Sequence, residues 1–170
     1  MCPNSGNGTI SHVACAMLMQ MTGVEMEHLP LKGRSAALME LRAGRVPFVI
    51  DVMPYLTPQI QAGAVRALAV TMNKRMPSLP NVPTLSESAI PGFELLTLDG
   101  IFAPKGTPVE RLDKLHAAVN AAVSDPEFSK FMMDRGTLLT PMSRKEFADH
   151  ARRDAARVGE IARKAGMTVD

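Results

Sequence analysis

The residues best suited to chemistry begin with a glycine-rich turn at the start of the chain. This turn, SGNGT at residues 5–9, offers bare backbone N–H groups, and Thr9 and Ser11 add hydroxyl groups. A helix that begins here contributes unsatisfied N–H groups and the positive end of its dipole. The turn therefore suits an anion such as a carboxylate, although a simple capped turn has the same sequence features.

A second turn repeats the arrangement. Lys32 and Gly33 place a cation beside a glycine, Arg34 follows, and a helical pattern starts directly afterwards; Asp51 closes a later apolar run. Ligand crevices in parallel sheets lie at the carboxyl ends of the strands, so we expect both turns and Asp51 to share one crevice. Two alternatives stay open: Lys32 and Arg34 are solvated surface charges, and Asp51 caps the next turn.

Other chemistries lack a matching pattern. Neither GxGxxG nor GxxxxGK[ST] occurs, no serine lies in a GxSxG elbow, and no paired acids stand out. His12, Cys15 and His28 fit no closed zinc ligand set. We therefore expect no catalytic residue, no metal and no cofactor.

The overall composition argues against two classes of binding partner. The 170 residues carry a net charge of +2, with one tyrosine and no tryptophan, which argues against nucleic acid and against a sugar site built on aromatic rings. The chain shows neither a run of about 20 apolar residues nor a signal peptide pattern. A single bridge between Cys2 and Cys15 is left open.

The order of patterns predicts an α/β fold with a parallel-rich sheet flanked by helices. The chain is expected to open on a turn rather than a strand, and strands are predicted over 24–29, 46–52 and 65–71. Helices are predicted over 13–21, 36–42, 54–62, 109–123, 127–134 and 144–165, with a proline-rich loop over 73–92 and an extended segment over 93–102. The last helix carries an apolar stripe that needs a partner surface, formed by Phe147, Ala151, Ala155, Val158 and Ala162.

Several blocks of sequence, in this order, identify a family resemblance. They are GNGTISH at 6–12, LKG at 31–33, RALAVT at 66–71 followed by Arg75, LPNVPT at 79–84 and FAPKGTP at 102–108. Together they resemble the receptors of tripartite tricarboxylate transporters, the Bug proteins, from about Ser5 to the C-terminus. The chain departs from the family pattern at Leu31, where tyrosine is usual, and at Leu98 and Asp99, where an aromatic pair is usual.

The resemblance implies a periplasmic-binding-protein type II-like fold that closes on a small organic acid and is not an enzyme. Residues 1–103 would form the ligand-binding α/β domain, which is the second domain of the family, and 104–170 the helical C-terminal part of an incomplete first domain. The ligand-binding roles of the family carry over to Asn7, Gly8, Thr9, His12, Lys32, Gly33 and Asp51.

The resemblance also implies a signal peptide and most of the first domain ahead of the first glycine turn, so we expect an N-terminally truncated receptor. Its location would be periplasmic by resemblance, or cytoplasmic if this chain is the whole translated product. The expected partners are a small organic acid, transporter membrane subunits and further copies of the chain, joined through exposed C-terminal helices. The alternative is an interaction module or degenerate receptor that has lost ligand binding and associates with itself or another receptor.

Overall fold

The computed structural model describes residues 1–167 and contains two short strands and seven helices in that range. The strands are β1 (Cys2–Asn4) and β2 (His28–Pro30). The helices are α1 (Ile10–Thr22), α2 (Arg34–Arg42), α3 (Met53–Gln61), α4 (Leu85–Ser88), α5 (Val109–Ser124), α6 (Pro126–Asp134) and α7 (Arg144–Lys164).

The sheet is a parallel pair, with Cys2 opposite His28 and Asn4 opposite Pro30. The expectation that the chain opens on a turn was therefore wrong, because a strand precedes the turn. Its three residues are too few to show an alternating pattern, and its partner lies beyond α1. The predicted strand at 24–29 survives only at its end, in β2.

The predicted strands at 46–52 and 65–71 were also wrong as strands, since neither segment belongs to the sheet. Val70 makes one isolated parallel bridge to Thr84, and Val46 and Val70 are both buried. A run of apolar β-branched residues indicates that the segment is buried, and a buried segment need not pair with a neighbouring strand. Val46 and Val70 are the one buried residue in each segment, and Leu68 is 67% exposed, so the segments are only partly buried and do not extend the sheet.

The helix predictions are confirmed to within a few residues at their ends. Thr9 caps α1, which stops at Gly23, where a φ of 70° lets the backbone turn and its N–H reach Met19 O. Ser143 and Glu146 form a reciprocal capping box at the start of α7. Local hydrogen bonding at the caps thus fixes helix boundaries that the sequence already marks.

The core lies between α1 and the extended segment that follows α4. Val13, Ala14 and Met17 of α1 pack with Ile90, Phe93 and Leu95, and Val158 and Ile161 of α7 cover the cluster. Two residues of the apolar stripe of α7 thus find partners within the same chain, since Val158 packs on this core and the ring of Phe147 lies 5.5 Å from that of Phe102. The predicted division into 1–103 and 104–170 stays a prediction, and residues 168–170 of it lie outside the described range.

A disulfide joins Cys2 to Cys15, which settles the question the sequence left open. Their Cα atoms are 5.9 Å apart, and both residues are fully buried. The bridge ties β1 to the middle of α1. Over residues 1–167, no helix combines the length and the apolar character needed to cross a membrane.

Candidate functional site

A cleft of about 280 Å³ opens where α1 and α2 begin. Its walls come from the first turns of both helices and from the residue just before the N-cap of α3; they are Ser5, Thr9, Ile10, Ser11, Gly33, Arg34 and Asp51. Sites for small ligands usually measure roughly 300–1,000 Å³, so this cleft lies just below that range and has room only for a small molecule.

The glycine-rich turn beside the cleft is held by its own hydrogen bonds. Gly6 N donates to Asn4 Oδ1 at 3.1 Å, Thr9 Oγ1 donates to Gly6 O at 2.7 Å, and Ser5 N donates to Ser11 Oγ at 2.8 Å. Gly6 has a φ of 127° and Gly8 of 73°, angles that side chains disfavour. The turn is therefore fixed in shape.

His12 supports this turn from inside the fold. It is 8% exposed, and its Nδ1 accepts from Gly8 N at 3.2 Å. Its ring meets that of His28 edge-on, with centroids 4.4 Å apart. Burial lowers the pKa of both histidines, and the neighbouring His28 lowers the pKa of His12 further. His12 is thus a buried acceptor behind the turn, outside the cleft wall.

Asp51 anchors three segments at the cleft floor. Its Oδ2 accepts from Ser5 Oγ at 2.5 Å, and its Oδ1 accepts from Arg34 Nε at 2.9 Å and from Val52 N at 2.8 Å. The side chain is only 4% exposed. Asp51 thus lines the cleft with its oxygens occupied by donors of the protein, and it does not cap α3, whose N-cap is Val52. Whether Asp51 also receives a donor from a ligand stays a prediction.

The second turn presents Arg34 rather than Lys32 to the cleft. Arg34 lines the cleft with a side chain 50% exposed, whereas Lys32 is exposed and lies outside the lining. Gly33, with a φ of 91°, precedes α2 and provides no side-chain cap. Within residues 1–167 no acceptor is bonded to the amides of Arg34 and Ser35. These donors are available at the start of α2.

The predicted site is thus brought together in part. Thr9, Gly33 and Asp51 line one cleft, while Asn7 and Gly8 lie exposed in the adjoining turn. Whether any of the seven predicted residues binds a ligand stays a prediction.

Four residues of the wall lie outside the seven predicted ones, namely Ser5, Ile10, Ser11 and Arg34. Ser5 and Ile10 flank the first turn, and Arg34 is the first residue of α2. The signal for Arg34 was its position directly after Gly33, at the start of a helix. Ser5 had no such signal, because its role depends on Asp51, which lies 46 residues further along the chain.

Metal binding has no geometric support among residues 1–167, where no group of three His, Cys, Asp or Glu side chains could hold an ion. Cys15, which the sequence placed near His12, is committed to the disulfide.

Comparison with known proteins shows a family match and several relatives. A family model described as "Tripartite tricarboxylate transporter family receptor" matches residues 3–167. A UPF0065 protein from the tcbD-tcbE intergenic region of Pseudomonas sp. (strain P51) is 43% identical over 134 residues, covering 78% of this chain and 40% of that protein. One from Pseudomonas knackmussii, from the clcB-clcD intergenic region, is 39% identical over 133 residues, covering 78% of this chain and 79% of that protein.

Solved structures agree with this. The R. palustris protein Rpa4515, solved with adipate, superposes with a TM-score of 0.88 at 32% identity, over 98% of this chain and 56% of that one. The periplasmic binding protein BugD gives 0.81 at 36% identity over the same shares. MatC from Rhodopseudomonas palustris, solved with bound malate, gives 0.78 at 28% identity, over 94% of this chain and 55% of that one.

These matches confirm the predicted fold class and the predicted family. The fold class is confirmed, since the chain superposes on periplasmic binding proteins as a partial α/β unit rich in helices. The chain spans about half the length of the solved structures it matches. The family match covers nearly all of the described residues, and the chain belongs to the tripartite tricarboxylate transporter family of receptors.

Proposed function

We propose that this chain is the ligand-holding part of an extracytoplasmic solute-binding receptor for a small organic acid, serving a tripartite tricarboxylate-type transporter. One observation carries the proposal: the cleft is walled by the starts of α1 and α2, and by the arginine at the start of α2. Two relatives of the family were solved with acids, namely adipate and malate.

The cleft suits a carboxylate on physical grounds. Helix N-termini direct free N–H groups and positive dipole ends towards it, and an anion is stabilised there. The hydroxyl groups of Thr9 and Ser11 are already hydrogen-bonded within the turn, so the backbone N–H groups are the donors left for an anion. Ile10 supplies an apolar wall for a carbon chain. This mixture of a few polar groups and apolar surface is typical of sites for small ligands.

We propose binding without catalysis. Ser5 is the hydroxyl closest to the carboxylate of Asp51, to which its Oγ donates at 2.5 Å. The residues that line the cleft include no histidine. Activation of a serine requires a base that can take its proton and is itself oriented. Asp51 is instead engaged by an arginine and a backbone N–H.

The disulfide supports a periplasmic location. Such bonds persist in oxidising compartments, of which the bacterial periplasm is one, and are rare in the cytosol. The bridge between Cys2 and Cys15 joins β1 to α1, the two elements on either side of the first turn of the cleft. A receptor in that compartment would deliver its acid to membrane subunits of the transporter.

The proposal is tested by NMR titration of the labelled chain with adipate and malate, using adipamide as a neutral control. We expect weak, saturable binding, because the cleft is open to solvent and leaves much of the ligand in water. Shifts should concentrate on the amides of Thr9, Arg34 and Ser35 and be small over 109–134. Equal shifts with adipamide, or shifts spread over α5 and α6, would contradict the proposal.

A second function is favoured by exposed apolar side chains in the C-terminal half. Ile101, Phe102, Val109 and Phe131 are 70%, 73%, 62% and 49% exposed. Exposed patches of this kind often mark protein contacts, so an interaction module that associates with itself or another receptor is the alternative. Light scattering at several concentrations separates the two: a mass that rises with concentration, together with no response to any acid, favours the module.

A further inference from the structure

Arg34 stands out among the residues of the cleft wall because it is its only cation in the described range. Its side chain is half exposed, and within residues 1–167 the structure pairs only its Nε with a carboxylate, at 2.9 Å from Asp51 Oδ1. A guanidinium has five donors in a planar fork. The edge that carries the two terminal nitrogens therefore remains for another acceptor.

Asp51 fixes the direction of that edge. Ser5 Oγ and Val52 N hold the carboxylate, and the carboxylate in turn holds Arg34 Nε. A side chain with many rotamers loses less entropy on binding when a neighbour has already oriented it. Asp51 thus acts as a positioning residue for the guanidinium.

The location of Arg34 is electrostatically unfavourable without an anion. It is the first residue of α2, where the helix dipole is positive and the amides of Arg34 and Ser35 have no acceptor from residues 1–167. Cations are normally favoured at the opposite end of a helix. Asp51, at 2.9 Å, already offsets this small cost, and an acidic ligand would place a second anion beside the guanidinium and the free amides.

We propose that Arg34 is the specificity-determining residue of the cleft, binding one ligand carboxylate through the free edge of its guanidinium while the first amides of α2 donate to the same group. This proposal rests on the proposed function and deepens it. Lys32, the cation that the sequence favoured, takes no part, because its side chain lies outside the cleft wall.

The ligand class follows from the geometry. A planar fork recognises a planar, fully ionised carboxylate through two parallel hydrogen bonds, which an amide or an alcohol cannot reproduce. The cleft of about 280 Å³ limits the rest of the ligand to a short carbon chain. The preferred class is a small acid ionised at neutral pH.

The test is the NMR titration with adipate, repeated on Arg34→Gln, Arg34→Lys and Lys32→Gln. Arg34→Gln should weaken binding by at least about tenfold, as expected for the loss of a charge-assisted pair. Arg34→Lys keeps the charge and can still pair with Asp51, yet it loses the fork, so several-fold weakening is expected. Lys32→Gln, the matched control, should stay within about twofold of wild type.

Each outcome is decisive. Wild-type affinity in Arg34→Gln overturns the inference and leaves the proposed function standing, whereas no response of the wild-type chain to any acid overturns both. Wild-type affinity in Arg34→Lys, or an equal loss in Lys32→Gln, also overturns it, since then only charge matters or the other cation binds. Arg34→Lys supplies the answer if Arg34→Gln fails to fold, which its melting temperature and amide spectrum would reveal.

Discussion

Reduction of the disulfide should destabilise the fold by a predictable amount. Cys2 and Cys15 are 13 residues apart, and both are fully buried. The chain-entropy relation for a loop of this length gives about 3 kcal/mol at 25 °C. For a chain of this size that corresponds to a fall in melting temperature of roughly 6–12 °C. The loss falls on β1, whose only sheet partner in the described range is β2.

The assay is urea denaturation followed by circular dichroism, with and without dithiothreitol. Alkylation and mass measurement establish the redox state of the thiols. The control is the double variant Cys2→Ala with Cys15→Ala, which should have the lower stability in both conditions and should not respond to the reductant. If the reduced wild-type chain unfolds at the same urea concentration as the oxidised one, the bridge contributes no stability and the entropic argument is refuted.

Three further predictions concern stability and are measured by denaturant or thermal unfolding. The lowered pKa of His12 means that the unfolded chain, with an ordinary value of 6.5, binds a proton first; stability should therefore fall as the pH drops below about 6.5, and less so in His12→Asn. Phe93→Ala should cost about 3–5 kcal/mol because Phe93 is fully buried, whereas Phe102→Ala, 73% exposed, should cost about 1 kcal/mol or less. Gly100→Ala should cost about 1–3 kcal/mol, since its Cβ would overlap the ring of Phe147.

Each of these has a matched check. An unchanged pH profile in His12→Asn would show that this histidine is not the titrating group, and His150→Gln on α7 is its remote control. Equal costs for the two phenylalanines would contradict the position of the core. Gly159→Ala, inside α7 with open space around the new methyl group, should instead stabilise by about 0.5–1 kcal/mol.

The helices were predictable because their signals are local. Thr9 and Gly23 mark the two ends of α1, and Ser143 with Glu146 marks the start of α7. Each of these signals lies within a few residues of the helix end that it fixes. The strands were not, because pairing depends on a partner elsewhere in the chain. Val46 and Val70 are buried as their pattern indicated, yet neither joins the two-stranded sheet, and Val70 makes one isolated bridge to Thr84.

The site divides in the same way. The turn at Gly33 and the cap at Thr9 could be predicted from residue type and order alone. The two contacts of Asp51 with Ser5 and Arg34 could not, because they join residues 46 and 17 positions apart along the chain. Lys32 and Arg34 are both cations beside Gly33 in the sequence. Only the direction of the side chain makes Lys32 a solvated charge and Arg34 a part of the cleft wall.

The small sheet also bears on how the protein behaves at high concentration. β1 is buried along its length, which leaves β2 as the strand with partly open surface in the described range. An incoming strand from another molecule needs a run of free backbone donors, and β2 has three residues, the last being Pro30, which has no N–H. Within residues 1–167, the sheet therefore offers little template for edge-to-edge aggregation.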